Sequence, residues 1–156
     1  MAVEISRELK EAIADKESIK VLATIDRHGV PHVVAKGSIT VTEEGQIRYW
    51  ELLEGSQTHK NVTYALWFDR KVAINVITKE RKSYQIKGIP KKCLIAGHEY
   101  EEAYIAAQER NKDNDLAAVY YIEPTEIIEE SYPVRLKEEN EKHPLYIHID
   151  RLAKEA

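Results

Sequence analysis

Eight consecutive residues, Glu54-Gly55-Ser56-Gln57-Thr58-His59-Lys60-Asn61, bring together the groups that hold a phosphate monoester. Ser56 is a favoured helix N-cap, and Val62, Ala65 and Leu66 follow at helical spacing, so the pattern predicts a helix over residues 56–66. A helix start leaves backbone N–H groups without acceptors, the Ser56 and Thr58 hydroxyls add donors, and Lys60 adds positive charge. The stretch is a candidate anion cradle. A plainer account stays open, in which Ser56 only caps the helix and Lys60 is a solvated surface charge.

Other chemistry is sparse. The chain has no phosphate loop ending in Gly-Lys-Ser/Thr, no His-Glu-x-x-His and no Gly-x-Ser-x-Gly. His28, His32, His59, His98, His143 and His148 are scattered without metal-ligand spacing, so no metal is expected. The single cysteine, Cys93, excludes an intramolecular disulfide, and a lone small residue in or beside a strand is more often packing than a nucleophile. With Lys+Arg 23 against Asp+Glu 27, the formal charge of -4 opposes a general nucleic-acid or anionic-membrane binder. No apolar run approaches the roughly 20 residues that cross a bilayer, and the first residues lack an apolar signal core. The expectation is a cytoplasmic protein with no nucleic-acid or membrane partner.

The elements that must position the cradle can be read from periodicity. Ile5, Leu9 and Ile13 form one stripe, predicting an amphipathic helix within residues 1–16. Residues 21–25 favour a strand that turns at Asp26-Arg27-His28-Gly29. A second strand over 32–41 follows Pro31, Glu43-Glu44-Gly45 turns the chain, and residues 46–52 return as a third. Residues 71–78 and 83–89 read as a hairpin around a charged turn, and residues 97–112 as a helix. Closing strands are expected at 117–122, at 125–128 beyond Pro124 and at 145–149, with a charged loop over 137–142. The sum is one domain, 1–156, mainly β with peripheral helices: a barrel core with the cradle helix over 19–92, an inserted helix over 97–112, and closing strands with a C-terminal extension over 117–156.

Over residues 19–89 this order of features resembles the pyridoxamine 5'-phosphate oxidase-like family of flavin mononucleotide (FMN)-binding split β-barrels. Val21-Leu22-Ala23-Thr24-Ile25-Asp26 followed by His28-Gly29-Val30-Pro31 resembles the family's opening hairpin, and Val34-Ala35-Lys36-Gly37 its next strand. Ile47-Arg48-Tyr49-Trp50 resembles the strand beside the flavin, and Thr58-His59-Lys60-Asn61 the phosphate-binding helix start. Val72-Ala73-Ile74-Asn75-Val76 and Tyr84-Gln85-Ile86-Lys87-Gly88 resemble the following hairpin. The resemblance implies a six-stranded Greek-key split barrel. It also implies that Thr58 and Lys60, with Asn61 beside them, hold the FMN phosphate. Some relatives carry Arg where this chain has His59, which implies a weaker or pH-dependent grip. Lys36 falls near the ribityl phosphate or the ring edge. Backbone groups of Val34, Ala35, Trp50 and Glu51 border the isoalloxazine, and Gln85 matches a position that reaches the flavin. In that family the cofactor lies between two subunits, so a homodimer is implied.

The expected function is an FMN flavoprotein passing hydride or electrons to or from a small molecule or a protein. The family's substrate-closing segment ends in Arg-Leu-x-Pro, whereas this chain has Arg151-Leu152-Ala153-Lys154, which argues against vitamin B6 oxidation. The alternative is a non-catalytic binding or sensing module on the same barrel, holding flavin, deazaflavin or heme. A third is a barrel without ligand, serving as a dimeric interaction protein. Apart from the resemblance, Trp50 and Trp67 read as core or interface aromatics, and Gln85 and Lys87 as the polar side of an alternating strand.

Overall fold

The structure is a computed structural model and describes residues 2–144. Helix α1 (Arg7–Ala14) starts at Ser6, whose hydroxyl oxygen accepts from the Leu9 N–H, and buries Leu9, Ala12 and Ile13. Strand β1 (Ile19–Ile25) turns through Gly29, at a φ of 81° that favours glycine, into β2 (Pro31–Ala35). The predicted single strand over 32–41 is divided, because residues 36–39 leave the ladder before β3 (Thr40–Val41). The Ser38 hydroxyl substitutes for ladder bonds there, accepting from Trp50 N and donating to Trp50 O. Strand β4 (Ile47–Glu51) leads into α2 (Gln57–Trp67), and the hairpin β5 (Val72–Ile77) and β6 (Ser83–Leu94) follows. Helix α3 (His98–Arg110) precedes β7 (Ala118–Glu129).

The strands form one antiparallel sheet in the order β2-β1-β5-β6-β7-β4-β3, curled into a half-barrel. Seven strands stand where the resemblance implies six, since the split at 36–39 adds one. The two strands predicted on either side of Pro124 are one continuous β7. Proline lacks an N–H donor, but the ladder with β6 shifts register between Lys87 and Gly88, where Gly88 faces Pro124, and again between Pro90 and Lys92. Both prolines are thereby accommodated at irregularities. The inner face carries the main core, with Leu22, Ile47, Tyr49, Ile74, Val76, Ile86, Tyr120 and Ile122 packed beneath α1 and α2. Lys20 closes the α1 end by donating to Ile13 O and Ile39 O, and burial lowers its amine below the ordinary lysine value.

Residues 137–142, expected as a loop, belong to helix α4 (Tyr132–Lys142). Arg135 and Lys142 both pair with Glu138, at the three- and four-residue spacings that only a helix brings onto one face. The predicted strand at 145–149 and the Arg151-Leu152 segment lie outside the described residues. No helix among the described residues is long and apolar enough to cross a membrane.

Where β6 and β7 cross, a Cβ on Gly88 would stand 2.6 Å from the Glu123 carbonyl oxygen and 2.7 Å from the Ile122 side chain. Gly88→Ala is therefore expected to cost about 2 kcal/mol of stability, read as a lower urea midpoint with an unchanged slope.

Candidate functional site

Ser56 caps α2, and its Oγ accepts from the His59 N–H at 3.0 Å. The hydroxyl proton is donated to Glu51 Oε1 at 2.5 Å. Glu51 ends β4 on its inward-facing side, alternating with Ile47 and Tyr49, and its side chain is 0% exposed. The second carboxylate oxygen receives Lys36 Nζ at 2.7 Å, from the segment just after β2. One carboxylate thus joins the end of β4, the end of β2 and the start of α2. The Gln57 and Thr58 N–H groups take no acceptor among the described residues, as the first turn of a helix requires. Lys60 is exposed beside them.

Two side chains dock the first turns of α2 on β1 and β2. Thr58 is buried, with its Oγ1 3.1 Å from His32 Nε2 on β2. Asn61, also buried, donates to Thr24 Oγ1 on β1 at 3.0 Å and accepts from Gln57 Nε2 at 2.7 Å. His59 turns the other way. Its Nδ1 lies 2.8 Å from the Tyr120 hydroxyl, which also meets Thr63 Oγ1 at 2.8 Å. Burial raises the Tyr120 phenol above its ordinary value and keeps it protonated. Cys93 packs against the core nearby, and burial likewise raises its thiol, which opposes a thiolate nucleophile there.

The predicted ring-bordering residues divide between faces of the sheet. Ala35, Lys36, Trp50 and Glu51 line one cavity of about 540 Å3, with Leu52, Leu53, Arg110 at the end of α3 and Asp113, Asn114 and Asp115 beyond it. The Arg110 guanidinium lies 5.8 Å from the Trp50 ring centroid. Trp50 is half-buried in a second apolar cluster, where Ala103, Tyr100 and Tyr104 of α3 cover Val119 and Tyr121 of β7. Val34 is partly buried on the opposite side of β2 from Ala35 and does not line that cavity. His59 lines an adjoining cavity of about 440 Å3 with Glu54, Ile95, Tyr100 and Leu116. Leu52 and Asp115 are common to both cavities. Gln85 stands apart. It alternates with buried Tyr84 and Ile86, pairs with Asn75, and faces outward. Trp67 is 77% exposed and belongs to neither core cluster.

Sequence reasoning missed His32, Thr24, Tyr120 and Arg110. Period two in β2 could have found His32, which shares a face with Val34. No local signal marks Tyr120, which is 61 residues from His59.

The fold is the split barrel expected from the resemblance, and the solved structures it matches are proteins of the pyridoxamine 5'-phosphate oxidase-like kind. HupZ from Group A Streptococcus superposes with a TM-score of 0.67 at 25% identity, over 82% of this chain and 95% of that one. An FMN-binding protein from Syntrophomonas wolfei gives 0.60 at 11% identity, over 78% and 83%. HutZ, the heme storage protein of Vibrio cholerae, gives 0.57 at 15% identity, over 81% and 95%. No protein-family profile matches the chain, and no curated protein sequence does.

Because Glu51 has no exposure, removing only its partner leaves a buried, unpaired carboxylate. Lys36→Met is expected to cost roughly 3 kcal/mol, and adding Glu51→Leu to recover most of it, in chemical denaturation. Equal stability of Lys36→Met and wild type would contradict the pair.

Proposed function

We propose that the chain is an FMN-binding flavoprotein that works as a homodimer and passes hydride or electrons between a small molecule or protein donor and an acceptor. The observation that carries this is the Glu51 carboxylate, which ties the start of α2, with the free N–H groups of Gln57 and Thr58 and the exposed Lys60, to Lys36 in the wall of the Trp50 cavity. The first suits a phosphate dianion, and the second has the volume and mixed lining of a cofactor site. The FMN-binding neighbour from Syntrophomonas wolfei supports the same ligand on this fold.

Bound FMN would supply reversible hydride or electron transfer at its ring. The residues supply binding and orientation. Gln57 and Thr58 donate backbone N–H to the phosphate, Lys60 offsets its charge, Lys36 and Trp50 border the ring, and Arg110 over Trp50 closes the α3 side. Trp50 and the aliphatic Leu52 and Leu53 exclude water from that side.

A second copy completes the site. Ile19, Ile25 and Val33 on the outward face of β1 and β2 are each more than half exposed, and Val21, Ala23, Ala35 and Ala73 continue that face. An aliphatic sheet face of this kind calls for cover. Gln85 faces the same way, so a partner seated there brings its own Gln85 toward this chain's ring cavity and receives this chain's in return.

Heme is the second ligand to consider. The Tyr120 hydroxyl holds one ring nitrogen of His59, leaving the other without a partner among the described residues beside an adjoining, partly apolar cavity, an arrangement that suits a metal-bound imidazole. HutZ carries heme storage on the same fold.

Purified protein mixed with FMN and desalted should retain flavin absorption bands; retention of heme and not FMN would select the second ligand. Lys60→Ala is expected to weaken FMN binding by roughly 2 kcal/mol in fluorescence titration, and unchanged affinity would reject the cradle. In sedimentation, wild type should be a dimer and Val33→Glu a monomer with weakened FMN binding. A wild-type monomer with full FMN affinity would overturn the shared site.

A further inference from the structure

The resemblance places only the backbone of Glu51 beside the ring, yet its side chain is the most enclosed charged group at the site. We infer that Glu51 is a positioning residue, which sets the α2 anion cradle through Ser56 and couples it to the ring cavity through Lys36. This role rests on FMN being the ligand.

A serine hydroxyl has one proton and can turn it in several directions. Here the proton is committed to Glu51 Oε1, so an Oγ lone pair faces the His59 N–H. The third N–H of the helix is thereby satisfied, and those of Gln57 and Thr58 are left without an acceptor among the described residues. Without the carboxylate, the Ser56 hydroxyl is free to rotate, and the first turn of α2 loses its fixed geometry. The other carboxylate oxygen holds the Lys36 ammonium 2.7 Å away at the wall of the ring cavity. Lys36 is thus a neutralised, oriented donor, and the counter-charge for a phosphate falls to Lys60. Glu51 reaches neither the phosphate nor the ring; the anion cradle takes its geometry from it, while the Lys36 ammonium is tied to the same carboxylate.

The role separates from simple structural support by ligand. A phosphate-specific device governs the preference for FMN over riboflavin, which has the same ring and no phosphate, whereas general loosening weakens both alike. Dissociation constants for the two flavins are measured by fluorescence titration in wild type, Glu51→Gln, Ser56→Ala and the double variant. Glu51→Gln should reduce the preference for FMN about tenfold while riboflavin affinity stays within about twofold. Ser56→Ala should do the same, and the double variant should lose no more than either single one, since both remove one linkage. A Glu51→Gln protein that keeps the wild-type preference, or losses that add in the double variant, overturns the role and leaves FMN binding standing. If Glu51→Gln does not fold, Ser56→Ala alone is held to the same criterion, and a Ser56→Ala protein that keeps the wild-type preference overturns the role. A wild type with no preference for FMN over riboflavin overturns the FMN assignment and this role with it.

Discussion

A carboxylate taken fully out of water is costly unless a counter-charge and hydrogen bonds surround it, and Glu51 satisfies that constraint with Lys36 and Ser56, from two other parts of the chain. Lys36 must follow β2 at the height where β4 ends. Ser56 must stand where α2 begins. The four-residue connection from Glu51 to Ser56 is then held at both ends, and the Ala117 N–H bonded to the Glu51 carbonyl oxygen at 2.8 Å adds β7 to the same junction. A half-barrel is open along one side, so its ends need such ties more than a closed barrel does.

The sheet has two faces with different occupants. The inner face is filled by α1 and α2 and carries nearly all the large buried side chains. The outer face is divided: α3 covers the β6-β7-β4 end with its own small apolar cluster, while the β2-β1-β5 end is left aliphatic and exposed. The candidate ring cavity lies where these zones meet, between the end of α3 and the turn after β2. Its position follows from the length of α3: Arg110 in the last turn reaches the Trp50 ring, and Asn114 ends the helix by donating to the Ala107 carbonyl oxygen.

Polar bonds as well as apolar burial hold α2. Its small apolar contribution, Val62 and Ala65, is supplemented by Thr58–His32, Asn61–Thr24 and Thr63–Tyr120 contacts. Directional bonds fix the angle of a helix start better than dispersion does, which suits an element whose first N–H groups must face a ligand. The histidine at position 59 then lines a cavity while the threonine before it docks on His32, because side chains one residue apart on a helix diverge by about 100°.

The sequence by itself determined what local chemistry decides. The stripe of Leu9 and Ile13, the Ser56 cap, the turns at Gly29 and Gly45 and the alternation through β5 all depend on neighbours a few residues away, and the resemblance placed Lys36, Trp50 and Thr58 in one ordered series. Pro124 misled as a strand break because the irregularity that accommodates it, where Thr125 is passed over between the Lys87 and Gly88 pairings, exists only against β6, a partner the local sequence cannot name. The loop expected over 137–142 misled because charge alone reads as solvation until the spacing of its pairs is set on a helix. Only the tertiary structure decided that Glu51 faces Lys36 and Ser56, that His32 meets Thr58 across 26 residues and Tyr120 meets His59 across 61, and that Gln85 turns away from all of them. These pairings depend on strand register and on the face each side chain takes, and both are fixed by the burial of the whole sheet rather than by any one segment.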